Sequence, residues 1–193
     1  MTFVDELEAR AAVLDDAVDQ AFDRLRGEPL ADRVFYLASD LGDFSVLWSL
    51  VGAIGGLRSD EDADAAIRLL VCLGLESALV NGLVKSLLPR RRPVFEGEHP
   101  HHLRTPKTAS FPSGHASSGF MAATLLSDGK GVPVKVGWYG LAAVVAASRI
   151  HTRAHHASDV VAGAALGLVL GRIAKKAWPL PRAGTEQPHP TGG

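Results

Sequence analysis

The sequence predicts an all-α fold, a polytopic helical bundle that crosses a membrane. Four stretches are nearly free of charged residues, and they lie at 44–57, 69–84, 136–148 and 160–171. None contains the roughly 18 uninterrupted apolar residues that define a spanning helix by themselves, so a buried helical core stays an alternative. Glycines recur four residues apart on two segments: Gly163, Gly167 and Gly171, and Gly52 and Gly56. This spacing favours the membrane, because it lets helices approach closely in lipid, whereas glycine destabilises a helix in water by about 1 kcal/mol.

Composition excludes several classes of protein. The 193-residue chain has a formal net charge of −1, so it carries no basic field that would attract nucleic acid. Its single cysteine, Cys72, lies in an apolar run, which excludes internal disulfides and is typical of a small buried side chain. We expect one helical domain over 1–177, followed by a disordered tail over 178–193 that is rich in proline and glycine.

The amino-terminal segment, 1–29, predicts an amphipathic helix over 3–26. Its broad apolar side consists of Phe3, Leu7, Val13, Leu14, Val18, Ala21, Phe22 and Leu25. Gly27 and Pro29 end this helix. A helix of this kind fits a membrane interface and the surface of a soluble protein equally well.

About five hydrophobic helices follow the amphipathic one. They are predicted at 44–57 after a helical piece at 30–41, from the polar turn at 59–64 to Leu88, from Ser113 to Ser127, at 134–149, and up to about Ala177. Short turns make neighbouring helices antiparallel. The proline-, arginine- and histidine-rich loop at 89–112 and the loop at 149–159 are therefore expected at the same end of the bundle.

Two polar clusters at this end carry candidate anion-binding groups. In "KSLLPRRRP", Lys85 lies within an apolar helix and needs a partner there, whereas the arginine run with Arg92 is also typical of a membrane-flanking anchor. In "FPSGHASSGF", Ser113 and Gly114 begin a helix whose free amides favour an anion, and His115 follows. Ser113 as a simple N-cap residue is the alternative.

The third cluster is "SRIHTRAHHASD", in which His155 and Asp159 are four residues apart. At this spacing the carboxylate can hold one imidazole nitrogen and leave the other free to react. Arg149 precedes the pair at the end of a helix. A metal site is disfavoured because cysteine ligands are missing and arginines accompany the histidines, and "HPHH" at 99–102 is better explained as an exposed loop.

Together the three clusters predict a site for a phosphoryl group. Lys85, Arg92 and Arg149 would surround a helix N-terminus and two histidines, which suits the charge that spreads over the phosphoryl oxygens in the transition state. His155 can attack phosphorus in line, and His115 can protonate the departing alkoxide. Because a metal site is disfavoured, we expect neither a metal ion nor another cofactor.

The clusters also have fixed internal spacings: K-x6-R-P from Lys85 to Pro93, P-S-G-H at 112–115, and S-R-x5-H-x3-D from Ser148 to Asp159. This set resembles the type 2 phosphatidic acid phosphatase (PAP2) superfamily, whose three motifs are complete and in order here. The resemblance covers 85–159 directly, and the helices around the motifs agree with it. It implies an all-α PAP2/haloperoxidase-like core. Compared with six-helix members, this chain is predicted to have five hydrophobic helices plus the amphipathic amino-terminal one.

The resemblance further implies metal-independent hydrolysis through a phosphohistidine intermediate. By position in the motifs, His155 would be the nucleophile, Asp159 its orienting partner, and His115 the general acid and then the base. The residues implied to bind phosphate are Lys85, Arg92, Ser113, Gly114 and Arg149. The lipid phosphatase branch implies a multi-pass protein of the cell membrane with an extracytoplasmic site and no nucleic-acid partner, and a homo-oligomer is compatible with it.

Three other functions compete with a lipid phosphatase. They are a vanadium-dependent haloperoxidase that uses the same pocket, a soluble acid phosphatase for small esters, and a non-enzymatic membrane scaffold. The short hydrophobic chain with glycine-rich helix faces favours a phosphatase for a phospholipid or a polyprenyl (di)phosphate. The motifs do not identify the lipid, whose selection we expect to depend on the first hydrophobic helix and the 94–110 loop.

Overall fold

The computed structural model describes residues 3–94, 99–104 and 108–181, and the described chain folds into helices. The α-helices are α1 Phe3–Asp23, α2 Pro29–Gly42, α3 Val46–Gly55, α4 Asp60–Ser77, α5 Lys85–Leu87, α6 Gly114–Leu126, α7 Val132–His151 and α8 Ala157–Ala177. The predicted all-α class is confirmed. Of the predicted tail at 178–193, residues 182–193 lie outside the described part of the chain.

Two of the long helical segments are interrupted. A 3-10 turn, Asp43–Ser45, separates α2 from α3, and positive φ angles of 51° and 58° at Phe44 and Ser45 bend the chain there. Between α4 and α5 the backbone is π-helical over Ala78–Val84, a widening that is frequent near functional sites. Both interruptions lie towards the end of the bundle that carries the polar clusters.

The polar stretch at 59–64 is mostly helix rather than a turn. The Ser59 hydroxyl oxygen accepts a hydrogen bond from the Asp62 amide at 3.1 Å, so α4 already begins at Asp60. Acidic residues in the first turn are favourable because they face the positive end of the helix dipole. The N-cap character of this stretch was predicted, but the number of residues that it adds to the helix was not.

Three described helical segments are long and apolar enough to cross a membrane: Pro29–Gly55, Asp60–Leu87 and Ala157–Ala177. Their outer surfaces expose large apolar side chains, among them Leu50, Ile54, Leu75, Leu83, Val161 and Ile173. Such a surface is expected of helices that face lipid. With α6 and α7, these segments make up the predicted five hydrophobic helices.

Helix α6 is the centre of the bundle, and α8 packs directly on it. A methyl group added at Gly163 would overlap the Ser113 carbonyl oxygen, and one added at Gly167 would overlap the Ser117 carbonyl oxygen. This close packing was predicted from the glycine spacing. It also brings the N-termini of the two helices together, where the Ser113 amide donates a hydrogen bond to the Asp159 carbonyl oxygen at 3.0 Å.

Helix α1 lies across the ends of α7 and α8. Val18 and Phe22 pack against an apolar cluster that includes Ile150 and Val160. The predicted apolar side of α1 is broader than the face that is buried, because Val13 is 70% exposed and Leu7 is 50% exposed. The amphipathic character of the amino-terminal helix is thus observed.

Candidate active site

His155 lies in the turn between α7 and α8, with a side chain that is only 2% exposed. Its Nε2 atom is 3.2 Å from the Nη1 atom of Arg92. A guanidinium group has donors only, so Nε2 must accept this hydrogen bond and the ring proton must be on Nδ1. The imidazole therefore presents an unprotonated Nε2 towards the guanidinium of Arg92.

Asp159 lies on the Nδ1 side of His155, but not in direct hydrogen-bond contact. The distance from Nδ1 to the Asp159 Oδ2 atom is 3.7 Å, which is too long for a hydrogen bond. Instead the Ser110 hydroxyl donates to Oδ2 at 2.6 Å and lies 3.4 Å from Nδ1. The His156 amide also donates to Oδ2, at 2.9 Å, because Asp159 caps the N-terminus of α8. Ser110 thus bridges the pair that the sequence predicts to be in direct contact.

The charge state of His155 follows from its surroundings. Burial lowers the pKa of the imidazole from its usual value of 6.5 to about 3. The nearby Asp159 carboxylate opposes this shift, while the positive charges of Arg149, Arg92 and Lys85 add to it. His155 is therefore neutral at physiological pH.

This depressed pKa predicts a dependence of stability on pH. Well above pH 6.5 the imidazole is neutral in both states, but as the pH falls through 6.5 towards 3 only the unfolded chain takes up the proton. His155 should therefore cost the folded protein about 2 kcal/mol by pH 5, relative to pH 7. Thermal unfolding in detergent between pH 7 and pH 5 should show a smaller loss of Tm for His155→Gln than for the unchanged protein.

The control for this experiment is His102→Gln, because His102 is exposed. It should lose Tm with falling pH as the unchanged protein does. Equal slopes for His155→Gln and the unchanged protein would contradict a neutral, buried His155.

His115 lies on the first turn of α6, against α2. Its Nε2 atom donates a hydrogen bond to the Ser39 carbonyl oxygen at 3.2 Å and lies 3.1 Å from the Asp43 Oδ1 atom. Both neighbours of Nε2 are acceptors, so this nitrogen carries a hydrogen and Nδ1 is the ring nitrogen left for a ligand. A methyl group at Gly42 would lie 2.6 Å from the His115 ring, so α2 closes tightly over the imidazole.

Arg149 connects the surroundings of the two histidines, and its positive charge acts on both imidazoles. The residue is 1% exposed, and its Nη1 atom donates to the Ser39 hydroxyl. Its Nε and Nη2 atoms are buried and have no hydrogen-bond partner within the described part of the chain. Buried donors of this kind are rare in proteins, and a guanidinium edge is well suited to an oxyanion.

Lys85 is the third cation, at the C-terminal end of the second spanning segment. It is buried, and it lies within electrostatic range of both Arg92 and Arg149. Three cations held together in a poorly hydrated site repel one another. An anion bound between them would relieve this repulsion.

The N-terminus of α6 has fewer free donors than the sequence suggests. The Ser113 amide donates its hydrogen bond to the Asp159 carbonyl oxygen, and the Ser113 hydroxyl oxygen accepts one from the Ala116 amide at 3.4 Å. Ser113 is thus the N-cap residue of α6, and only its hydroxyl hydrogen is left for a ligand. The Gly114 amide, in the first turn, has no acceptor within the helix.

Histidine clusters elsewhere in the described residues do not form a metal site. In the described ranges, no group of three His, Cys, Asp or Glu side chains is placed to share a metal ion. Within "HPHH", the His99 Nδ1 atom is 2.7 Å from the Tyr36 hydroxyl, and the ring of His101 packs against the ring of Tyr36.

Comparison with known proteins identifies the family of this chain. Residues 65–181, more than half of the chain, match the PAP2 superfamily. The chain belongs to the PAP2 superfamily. The matched range contains all three motifs and every residue of the candidate site that the sequence predicts.

Individual PAP2 relatives are phosphatases. The chain is 40% identical over 94 residues to the decaprenylphosphoryl-5-phosphoribose phosphatase of Mycobacterium tuberculosis, a match that covers 47% of this chain and 49% of that protein. It thus spans about half the length of the curated relatives it matches. The crystal structure of Aquifex aeolicus LpxE is similar with a TM-score of 0.65 and 28% identity, covering 83% of this chain and 93% of that one.

A second solved structure decides the membrane class of this PAP2 protein. It is the first transmembrane PAP2 type phosphatidylglycerolphosphate phosphatase from Bacillus subtilis, with a TM-score of 0.65 and 25% identity over 84% of this chain and 83% of that one. Together with the three spanning segments, this similarity confirms the predicted membrane helical bundle.

Three residues around Asp159 in the candidate site were not predicted from the sequence: Arg90, Ser110 and Asp15. Arg90 donates to Asp159 Oδ1 at 2.6 Å and to Asp15 Oδ2 at 2.7 Å, although it has the sequence features of a membrane-flanking cation. Ser110 has no signal beyond its place just before P-S-G-H. Asp15 does have a signal in the sequence, because it lies three residues before Val18 on the face of α1 that packs on the bundle.

Proposed function

We propose that this chain is a membrane lipid phosphate phosphatase, which hydrolyses a terminal phosphate of a phospholipid or a polyprenyl (di)phosphate without a metal ion. The observation that carries the proposal is a neutral, buried imidazole at His155 whose unprotonated Nε2 faces a group of cations. A neutral imidazole is a nucleophile, and the cations supply binding sites for the phosphoryl oxygens.

The proposed first step transfers the phosphoryl group to His155. Its Nε2 lone pair attacks phosphorus while Arg92 turns from Nε2 to the phosphoryl oxygens, which Lys85 and Arg149 also bind. The bond between phosphorus and the ester oxygen breaks, and the departing alkoxide takes a proton from Nδ1 of His115. Asp43, 3.1 Å from Nε2 of the same ring, stabilises the protonated form that this step needs.

In the second step a water molecule attacks the phosphohistidine. Nδ1 of His115 takes the proton of the water, the bond between Nε2 and phosphorus breaks, and inorganic phosphate leaves. The Ser113 hydroxyl and the Gly114 amide are the remaining donors to the phosphoryl oxygens. Asp159, acting through Ser110, fixes the ring of His155 in both steps.

Three features support a lipid as the substrate. The site lies at one end of three segments that are long enough to cross a membrane. The relatives named above include a decaprenylphosphoryl-5-phosphoribose phosphatase and a phosphatidylglycerolphosphate phosphatase. The exposed apolar surface keeps this protein in the membrane, where a lipid phosphate is the available ester. An extracytoplasmic position of the site stays a prediction from the family resemblance.

The test is phosphate release in detergent from a panel of lipid phosphates, with His155→Ala as the control. The panel contains phosphatidic acid, phosphatidylglycerol phosphate, a polyprenyl diphosphate and a polyprenyl-phosphoribose phosphate, and p-nitrophenyl phosphate represents small soluble esters. We expect kcat/KM for at least one lipid to exceed that for the soluble ester by tenfold or more. A preference for the soluble ester would support the small-ester phosphatase, and no release from any compound would overturn the proposal.

The haloperoxidase alternative has its own readout. Vanadate resembles the phosphoryl transition state, so it should inhibit phosphate release by occupying the same donors. With vanadate, bromide and peroxide present together, we expect no oxidation of bromide. Bromide oxidation that depends on His155 would favour the haloperoxidase.

A further inference from the structure

Arg90 joins the amino-terminal helix to the carboxylate beside the candidate nucleophile. Its Nη1 atom donates to Asp159 Oδ1 at 2.6 Å, and its Nη2 atom donates to Asp15 Oδ2 at 2.7 Å. Asp15 belongs to α1, and Asp159 belongs to α8. The two carboxylates are nearly inaccessible, with exposures of 6% and 0%. One guanidinium group thus spans two buried carboxylates that are 144 positions apart in the chain.

Asp15 is hydrogen-bonded to the start of α8. The Ser158 amide donates to its Oδ1 atom at 2.7 Å, and the Ser158 hydroxyl donates to its Oδ2 atom at 2.9 Å. Arg90 Nη1 also donates to the Ser158 hydroxyl oxygen, at 2.7 Å. All of these contacts lie within one residue of Asp159. A carboxylate that served only to hold α1 on the bundle would not need this position.

Other side chains already hold α1 in place. Arg26 donates to the carbonyl oxygens of Ile150 and His151 at 2.8 and 2.9 Å. Arg153 pairs with Asp23 at 2.9 Å and with Asp19 at 3.3 Å. These contacts tie α1 to the end of α7 and to the turn before α8, and none of them reaches Asp159.

The contacts of Asp159 divide between its two oxygen atoms. Oδ2 accepts from Ser110 and from the His156 amide, on the side of His155. Oδ1 accepts from Arg90. Because the contacts lie on both sides of the carboxylate, they fix its rotation. Among the described residues, Arg90 is the only charged side chain that pairs with Asp159. Without Arg90, two buried carboxylates would also lack the cation between them.

We propose that Asp15 and Arg90 are positioning residues, through which α1 holds Asp159 in the orientation that fixes His155. The amphipathic helix is then a working part of the active site as well as a surface element. The inference rests on the proposed function, because its readout is phosphate release. Neither residue touches the phosphoryl group in this arrangement, so they should affect the rate of the reaction rather than substrate binding.

The first test compares Arg90→Gln and Asp15→Asn with the unchanged protein. We expect kcat to fall about tenfold to a hundredfold in each, the effect of losing one hydrogen bond to a charged group, with KM changed by less than about twofold. Arg90→Lys keeps the charge but reaches only one carboxylate well, so it should recover part of the rate. Arg153→Gln is the matched control. It removes a salt bridge between α1 and the turn before α8, and Arg153 does not contact Asp159.

A purely structural role for Arg90 predicts a different pattern. Arg90→Gln and Arg153→Gln would then lower Tm to a similar extent, and the two variants would have similar kcat values. If Arg90→Gln does not fold, Asp15→Asn decides, because asparagine has nearly the same shape. A kcat equal to that of the unchanged protein in Asp15→Asn would overturn the inference.

A double-substitution cycle gives the second test. Because Asp15 acts through Arg90, the protein with both Asp15→Asn and Arg90→Gln should be no slower than Arg90→Gln alone. Losses that multiply would overturn the inference. Failure of the unchanged protein to hydrolyse any phosphate ester would overturn the proposed function. If the unchanged protein is active and Arg90→Gln has the same kcat, only this inference is overturned.

Discussion

Replacement of His155 with alanine is expected to reduce phosphate release by a factor of about 10⁴ or more. The substitution removes the proposed nucleophile and leaves the cations, so only binding and charge stabilisation by the pocket would contribute to any residual rate. The measurement is phosphate release from the best lipid of the panel under saturating conditions. His102→Ala, at an exposed histidine, should keep the full rate.

His115 provides the comparison that separates a nucleophile from a proton donor. With p-nitrophenyl phosphate the leaving group needs no proton, so His115→Gln should still form the phosphoenzyme but hydrolyse it slowly. Rapid quenching with ³²P-labelled substrate should therefore show an acid-labile, base-stable label that accumulates on His115→Gln. His155→Ala should show none. A label that persists on His155→Ala would place the nucleophile elsewhere.

The sequence predicts the parts of this site that depend on local spacing and on helix order. His155 and Asp159 are four residues apart across the start of α8, and Ser113 begins α6, and both features follow from local sequence. The alternation of antiparallel helices then places Lys85, His115 and His155 at one end of the bundle. These predictions needed no knowledge of which side chains touch.

The arginine run shows where local spacing was not enough. Arg90 and Arg92 point towards the site, whereas Arg91 is exposed. Residues 89–93 have no regular secondary structure, so these three arginines are not constrained to one helix face. The interpretation of the run as a membrane-flanking anchor gave no reason to assign different roles to its three arginines.

Individual hydrogen bonds between distant segments could not be predicted. The geometry of Asp159 depends on Ser110 and Arg90, which approach from a loop 49 and 69 residues away along the chain. Because these contacts occupy both carboxylate oxygens, the direct hydrogen bond to His155 that the spacing predicts is replaced by a bridge through Ser110. Such a competition for one acceptor has no signature in a single sequence.

Gly167→Ala is the stability change with the largest expected effect. The added methyl group would overlap the carbonyl oxygen of Ser117, which is backbone of the central helix and cannot rotate away. We expect a destabilisation of about 1–3 kcal/mol or more from this overpacking, measured as a lower Tm in detergent. Gly140→Ala on α7 is the matched control, since its methyl group would meet no described atom within 4 Å. That change should be neutral or stabilising by up to about 1 kcal/mol.

Activity should fall together with stability in Gly167→Ala, even though the residue is not in the pocket. The methyl group forces α8 away from α6, and the hydrogen bond between the Ser113 amide and the Asp159 carbonyl oxygen joins these two helices at the active end. A displacement of about 1 Å between reacting groups can cost about a hundredfold in rate. Full activity in Gly167→Ala at a temperature where it stays folded would mean that the two helix ends are held together independently of the glycine contact, and the Arg90 bridge would then be the first element to examine.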